Sequence, residues 1–468
     1  MSPYAIVSAA QWFFILYFIA VNLGYIMLNI IAIAGIGRYM QRGALSAAAK
    51  TFSPLEPPIS ILVPAYNEEA TIASTARSLL QIHYPEYEII VINDGSKDAT
   101  LETLKREFAL APWPGVSRKR LESKTVRGMF MSPLHPNLFV LDKENGGKAD
   151  SLNAGINVSR FPLFCSVDAD SILQRDSLLK IVQPFLENPD TIASGGTVRA
   201  ANGCTVAGGY LEDTGLPANH LALFQIMEYI RAYLIGRLGW SQMNALTVIS
   251  GAFGLFRKEA VIAAGGYRTD TVGEDMELVM RMHRTMRLQK KKYSVTFVPD
   301  PICWTEVPED MKTLRNQRIR WQRGLAESLW LNRGILFSRN GGAVGWVAFP
   351  FMVAFELLGS LVEVFGYVFT FAGFFLGVMS AAAFFSFLFV AVGMGILLSV
   401  NSLLIEEMSF HIYKKPGNTA MLFLFAVAEN FGYRQLNSWW RVVGLYRWAR
   451  GTGGGWGEMK RAARWQKT

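Results

Sequence analysis

The chain of 468 residues has little charge and little cysteine. Only 18% of its residues are charged against 51% hydrophobic, too apolar a balance for a wholly soluble protein. The three cysteines, Cys165, Cys204 and Cys303, are isolated, with neither metal-ligand spacing nor a disulfide framework, so buried thiols are expected. No basic region precedes the first apolar stretch, and that stretch is long, which argues against a cleaved signal peptide. The formal charge of +9 raises nucleic acid as a partner. However, the basic cluster Arg118, Lys119, Arg120, Lys124 and Arg127 carries no interleaved aromatics to stack bases, and nucleic acid is not expected.

What is present is unevenly spread. Apolar residues concentrate at 5–36 and from 343 onward, while 56–339 reads as an ordinary soluble domain. The stretch 11–36 is long enough for a hydrocarbon core of roughly 30 Å. Arg38, Arg42 and Lys50 follow it, and Arg447, Arg450, Lys460, Arg461, Arg464 and Lys467 crowd the other end. Such flanks suit anionic lipid and put the large domain and the C-terminal tail in the cytoplasm. The run 343–405, broken mainly by Glu356 and Glu363, holds two spans or three. An interfacial or re-entrant helix near 422–446 is expected after two spans; a third and fourth span are the alternative. Both glutamates share a helical face, where they line a polar path or meet a basic helix.

The soluble part alternates strands and helices: a strand at Ile59–Val63 stopped by Pro64, a helix to Gln81, a strand at Glu88–Ile92, a helix to Leu110. A surface insertion spans 111–136, and strands follow at Leu138–Leu141 and Leu163–Val167. This is the pattern of a mostly parallel sheet with helices on both faces, whose ligands bind beyond the carboxyl ends of the strands. Three of those ends are polar: 63–68, Asp94, and Asp168-Ala169-Asp170. Carboxylates at the exit of a buried strand are costly unless a cation or donor meets them. Lys148, after the Asn145-Gly146-Gly147 turn, supplies one. A base, two acids and a glycine turn in one unit suit a metal–diphosphate site; the plainer reading is a solvated strand end. The helical pattern 220–246 is too polar to span and reads as a core helix or one lying at the membrane interface. The stretch 250–256 is a glycine-rich strand where backbone or ligand approaches closely. Glu274, Asp275 and Glu277 open a helix, where acids favour the helix dipole in any case. On the helix 309–331, Gln317, Arg320 and Trp321 share a face, a forked cation beside an aromatic suited to a phosphate next to a sugar.

Together these residues resemble the family 2 inverting glycosyltransferases, and within them the processive membrane polysaccharide synthases that make cellulose, hyaluronan, chitin or poly-N-acetylglucosamine. The ordered set is Asp94, Asp168-Ala169-Asp170, Asp275 and Gln317-Arg318-Ile319-Arg320-Trp321, joined by Val63–Glu68, Asn145–Lys148 and Cys303–Pro308. The resemblance is closest to the poly-N-acetylglucosamine group. It implies a GT-A-type cytoplasmic domain at 51–307, after a membrane helix and basic linker at 1–50. Interfacial helices at 308–342 and a channel region at 343–468 would follow. It further implies that Pro64, Ala65, Tyr66, Glu68 and Asp94 line a uridine pocket, that Lys148 and Asp168 meet the nucleotide, and that Asp170, with Asp168, holds Mg2+ or Mn2+. Asp275, beside Glu274, would be the general base. Gln317 and Arg320 would hold the diphosphate, and Trp321 would stack on the acceptor sugar. The expected partners are a UDP-sugar, a growing polysaccharide and the bilayer of the inner (plasma) membrane, with room for an accessory export subunit. No Phe-Xaa-Val-Thr-type gating sequence and no cyclic-dinucleotide module is found, against a cellulose synthase regulated in that way. A transferase adding one sugar to a lipid carrier is the alternative, and a transporter with a nucleotide-sensing domain a distant one.

Overall fold

The computed structural model describes residues 3–47, 56–115, 118–207 and 210–451. Residues 48–55, Lys50 among them, and the tail basics Lys460, Arg461, Arg464 and Lys467 lie outside the described residues.

A ten-stranded sheet forms the soluble body. In spatial order its strands are Ala111–Pro112, Val126–Met131, Leu138–Lys143, Tyr87–Asn93, Ile59–Ala65, Leu163–Val167, Phe253–Arg257, Thr191–Ala200, Ser294–Thr305 and Ile172–Leu173. The four from Leu138–Lys143 to Leu163–Val167 run parallel, as their buried apolar runs predict. Phe253–Arg257 is antiparallel to both its neighbours, so the whole sheet is mixed around a parallel centre. Pro64 does not stop the first strand, which continues to Ala65. Pairing with Leu163–Val167 ends at Leu62, so the proline falls where one side of the strand is free. The 111–136 insertion is more than a surface loop: its apolar run Val126–Met131 adds an antiparallel strand to the sheet. After Ile172–Leu173 come two short helices, Ser177–Ile181 and Gln183–Glu187, with Pro184 opening the second.

Pro3–Ala47 is a single helix, so 43–47, expected as linker, is helical; Ala44, Leu45 and Ala47 are good helix formers. At 1.5 Å per residue it is about 68 Å long, more than twice the roughly 30 Å of a hydrocarbon core. Its second half therefore runs beside the sheet domain. Leu28, Ala32 and Ile36 are buried in the domain's core, Arg38 donates to Gln242 Oε1 at 2.6 Å, and Tyr39 donates to Asp300.

Among the described residues two helices are long and apolar enough to cross a membrane, Ala5–Gln41 and Ala381–Ser409. A third span results if Val344–Leu357 and Gly359–Phe375, bent by 40°, count as one. Pro416–Ala428 is apolar but short, and Tyr433–Ala449 packs along Met311–Leu331. There Gly444 approaches Ile319 so closely that a Cβ would lie 2.8 Å from its carbonyl oxygen. Glu356 and Glu363 meet this last helix: Arg441 pairs with Glu356 at 2.9 Å, and Ser438 donates to Glu363 at 2.6 Å. The 220–246 pattern forms His220–Tyr229, a π-helical turn Ile230–Arg237 and Leu238–Gln242 in sequence. Its apolar side is buried between sheet strand Thr191–Ala200 and the apolar helices, as the core-helix expectation has it.

Candidate active site

Asp94 stands at the end of Tyr87–Asn93, 3% exposed, and its carboxylate is fully engaged. It accepts from Lys143 Nζ at 2.5 Å, from the Gly146 and Gly147 N–H groups at 3.0 and 2.7 Å, and from Asn145 Nδ2 at 3.2 Å. Asp94 thus sets the turn from which Lys148 projects. Lys143 is buried outright and also pairs with Asp150 at 2.7 Å. The neighbouring loop after Ile59–Ala65 is tied in too: Asp94 N–H donates to Ala65 O at 2.9 Å, and Asn67 N–H donates to Ser96 Oγ at 3.0 Å. Tyr66 is exposed there, and Glu68 Oε2 accepts from Thr71 at 2.6 Å.

Lys148 opens the helix Lys148–Val158, an end where a cation is disfavoured by the helix dipole. Carboxylates from two other elements hold it. Its Nζ lies 2.5 Å from Asp168 and 3.7 Å from Glu274, and it donates to Gly251 O at 3.2 Å. Burial would lower the Lys148 ammonium; Asp168, Glu274 and Asp275 outweigh it and hold the pKa well above the usual lysine range. Gly251 N–H donates to Asp275 Oδ2 at 3.0 Å, while Asp275 Oδ1 accepts from Met276 N–H at 2.8 Å. A Cβ on Gly251 would sit 2.7 Å from Lys148 Nζ, so the close approach read from the glycine-rich strand is real. Glu274 is 5% exposed. Burial raises its pKa, Lys148 opposes, and Asp275 and Asp168 add to the rise, leaving it at about 7.

Asp168-Ala169-Asp170 is pinned where Thr75 Oγ1 donates to Ala169 O at 2.6 Å and Asp168 N–H reaches Ala252 O at 3.4 Å. Among the described residues no three His, Cys, Asp or Glu side chains converge as a closed metal site. A hard cation such as Mg2+ is commonly held by one or two carboxylates plus substrate phosphates. Asp170 with Asp168 fits that arrangement and does not fit a cage made by protein alone.

The helix Met311–Leu331 carries Gln317, Arg320 and Trp321 in a gradient of exposure. Gln317 is 8% exposed, with an Oε1 that has no partner among the described residues; Arg320 is half-buried; Trp321 is 43% exposed. Arg318 turns away to Glu228 Oε2 at 2.9 Å, to which Tyr433 also donates, and lies 4.5 Å from the Trp321 ring. The helix meets the Glu274 turn through two glycines. A Cβ on Gly324 would fall 3.0 Å from Gly273 Cα, so the backbones touch. Glu327 fastens the contact by accepting from Thr271 Oγ1 at 2.8 Å and Val272 N–H at 2.9 Å.

The structure therefore joins Lys148, Asp168, Glu274 and Asp275 directly, and ties Ala65, Tyr66 and Glu68 to the Asp94 loop. It links Gln317, Arg320 and Trp321 to that centre through a helix crossing. Sequence reasoning missed Lys143, Asp150, Gly324 and Glu327. The signal available for the first pair was a lysine and an aspartate bracketing the glycine turn. Gly324 and Glu327 had none without the fold.

Residues 60–263 match the model of glycosyl transferase family 2, and 163–398 that of glycosyl transferase family group 2. The poly-beta-1,6-N-acetyl-D-glucosamine synthases of Staphylococcus epidermidis and of Staphylococcus aureus strain COL are 32% and 31% identical over 273 residues. That covers 58% of this chain and 55% of each relative, so the match spans about half the length of these curated proteins. Among solved structures, a mannosyltransferase from Pyrobaculum calidifontis in complex with GDP-Man and Mn2+ shares the fold at a TM-score of 0.51 and 16% identity. It covers 90% of this chain and 99% of its own. With half of its length matched to one family model, the chain belongs to glycosyl transferase family group 2.

Proposed function

We propose that this protein is a processive, inverting glycosyltransferase. It polymerises a UDP-sugar, UDP-N-acetylglucosamine or UDP-glucose, into a β-linked exopolysaccharide and passes it across the membrane its apolar helices span. The carrying observation is the convergence of Lys148, Asp168, Glu274 and Asp275 around Gly251, with the Gln317–Trp321 helix docked on the same turn. The names of the staphylococcal relatives support a polymer product. In this reading the sheet domain is cytoplasmic and the inner membrane is crossed more than once. An accessory membrane or export subunit remains compatible with it.

The acceptor hydroxyl attacks the anomeric carbon, the bond to the diphosphate breaks, and the acceptor proton passes to Asp275. A single displacement from an α-linked donor gives a β-linked product. Pro64, Ala65, Tyr66 and Glu68 line the uridine pocket on a loop that Asp94 steadies. Lys148, Gln317 and Arg320 stabilise charge gathering on the leaving diphosphate. Asp170, with Asp168, would hold Mg2+ or Mn2+, which supplies Lewis-acid neutralisation of that charge when bound. Asp168 is already paired with Lys148, so its carboxylate would be shared between that ammonium and the cation. Trp321, exposed beside Arg318, offers its face to the acceptor sugar.

The test is UDP release by purified protein in lipid with Mg2+ or Mn2+, across UDP-glucose, UDP-N-acetylglucosamine, UDP-glucuronate and UDP-galactose, with the product sized on a gel. One donor giving a metal-dependent signal and a long product is expected. Asp275→Asn should cut turnover by about 100- to 10,000-fold while still binding UDP, the span of general-base catalysis. A product longer by one sugar would sink processivity, and near-normal turnover by Asp275→Asn would sink the base assignment.

A further inference from the structure

One basic cluster is used by none of these roles. Arg287, Lys290, Lys291 and Arg339, with Asn340 and Gly342, line a hollow of about 330 Å3 in which no carboxylate appears among the described residues. An adjoining hollow of about 410 Å3 shares Arg287, Lys290 and Lys291 and adds Lys292, with Asp190 as its acid. Like charges gathered without counter-charge create a field that attracts an anion.

Arg287 is built into place. Its Nε donates to Tyr293 Oη at 3.0 Å; Tyr293 Oη lies 2.8 Å from His283 Nδ1, and His283 Nε2 lies 2.8 Å from Leu246 O. Burial pushes His283 down to about 4, so the ring is neutral and its tautomer follows from the chain of bonds. Nε2–H donates to the carbonyl, Nδ1 accepts from the tyrosine, and the tyrosine oxygen is left to accept from Arg287. The guanidinium lies directly on Gly342, where a Cβ would be 2.5 Å from Cζ. No ion pair reaches Arg287 among the described residues, and its side chain lines both hollows.

The hollow also lies at a defined height. Gly24 of the first membrane helix faces Phe351, and Tyr17 donates to Ala354 O at 2.7 Å, so the two segments run antiparallel. Arg339, Asn340 and Gly342 immediately precede Val344, where the bent apolar pair Val344–Leu357 and Gly359–Phe375 begins, so the hollow lies at the end of that apolar segment nearest the sheet domain. Phe337 and Trp346, both exposed and with rings 5.2 Å apart, flank it as aromatic side chains flank a bilayer surface.

We propose that Arg287, Lys290, Lys291 and Arg339 form a phosphate site that takes the headgroup of an anionic phospholipid of the bilayer. Phosphate is the chemistry recognised, and the height of the site assigns its source to the lipid rather than to a soluble phosphate.

The experiment titrates dioctanoyl phosphatidylglycerol, dioctanoyl phosphatidylcholine and inorganic phosphate against the full chain in neutral detergent, by calorimetry. Phosphatidylglycerol should bind at least tenfold more tightly than either of the others. Arg287→Gln should lose at least tenfold of that affinity. The double variant Lys291→Gln/Arg339→Gln, which leaves the Tyr293–His283 bonds intact, should lose as much. UDP binding by each variant, measured alongside, reports that the fold is intact. Equal binding of the two lipids, or unchanged affinity in the double variant, overturns the proposal. Inorganic phosphate binding as tightly as phosphatidylglycerol overturns the lipid assignment.

Discussion

Asp94 and Glu274 are both buried acids of the same site, and their surroundings give them opposite tasks. Asp94 is met by an ammonium and three N–H donors, so it is a fixed anion that shapes a turn. Glu274 has only a distant share of Lys148 and lies beside two other carboxylates. Its folded pKa of about 7 is above the ordinary 4.5. Between those values the folded protein keeps a proton that the unfolded chain has released. Stability therefore falls as pH rises through that window, and the full cost of the ionised, buried carboxylate is present above pH 7. The difference corresponds to on the order of 3 kcal/mol. Glu274→Gln should consequently melt higher than the parent at pH 8 and show little advantage at pH 4.5. Parallel melting profiles across that range would assign the titration to another group. That acids gather at the strand ends was legible in the sequence; which acid keeps its proton was not, because Lys143 sits inside a strand and its reach to Asp94 depends on pairing across the sheet.

At the scale of elements, periodicity and strand-end polarity were enough to identify the strands of the parallel centre and to put Asp94 and Asp168 at their ends, with Lys148 after the next turn. They failed where local signals were overruled by long-range partners: Pro64 survives inside a strand, and 126–131 joins the sheet, because a neighbouring strand was available to one side of each. The meeting of Glu274–Leu288 with Met311–Leu331 was equally illegible. A glycine in each partner reads as a helix cap or a helix weakness until the two are seen touching. Gly324→Ala puts a methyl group 3.0 Å from the Gly273 backbone, which has no flexible side chain to yield. The helices must part, at a cost of about 1–3 kcal/mol. Gln317, Arg320 and Trp321 would shift with them relative to Asp275, and a displacement of that order costs about 100-fold in rate. UDP affinity should fall less than turnover, since the Asp94 loop and its neighbours lie on other elements while only the diphosphate contacts of Gln317 and Arg320 move. Gly334→Ala is the control, because nothing lies within 4 Å of a Cβ there. A Gly324→Ala enzyme with parental kcat would show that the crossing does not set the site.

At the scale of the whole molecule, the sheet domain and the apolar helices are joined by charge as well as by apolar packing. Arg199, on strand Thr191–Ala200, is 1% exposed and pairs with Glu406, fully buried on helix Met394–Ser409. Neither Arg199 Nε and Nη1 nor Glu406 Oε1 has another partner among the described residues, so the pair depends on itself. Arg231 and Glu429, bridged by Ser399, repeat the arrangement between the π-helical segment and the last apolar helix. Desolvating two charges costs about as much as their attraction returns, so such a pair adds little net stability over an apolar pair of similar volume. Its effect is on which surfaces meet, since a misdocked domain would leave a buried charge alone. The consequence is an asymmetry between single and double substitution. Arg199→Met strands Glu406, and Glu406→Leu strands Arg199; each should destabilise the protein in neutral detergent by about 3–5 kcal/mol. Arg199→Met/Glu406→Leu removes both charges together and should recover most of that loss. On the proposed function polymer length is the second readout, because a domain that keeps Arg231–Glu429 but has lost this joint can shift on the apolar helices. The double variant should therefore keep UDP release while its products shorten. If the double variant melts as low as the singles, Arg199 and Glu406 act through separate partners and the joint is not a pair. If it recovers stability and makes full-length product, the charges fasten the two parts without fixing their register.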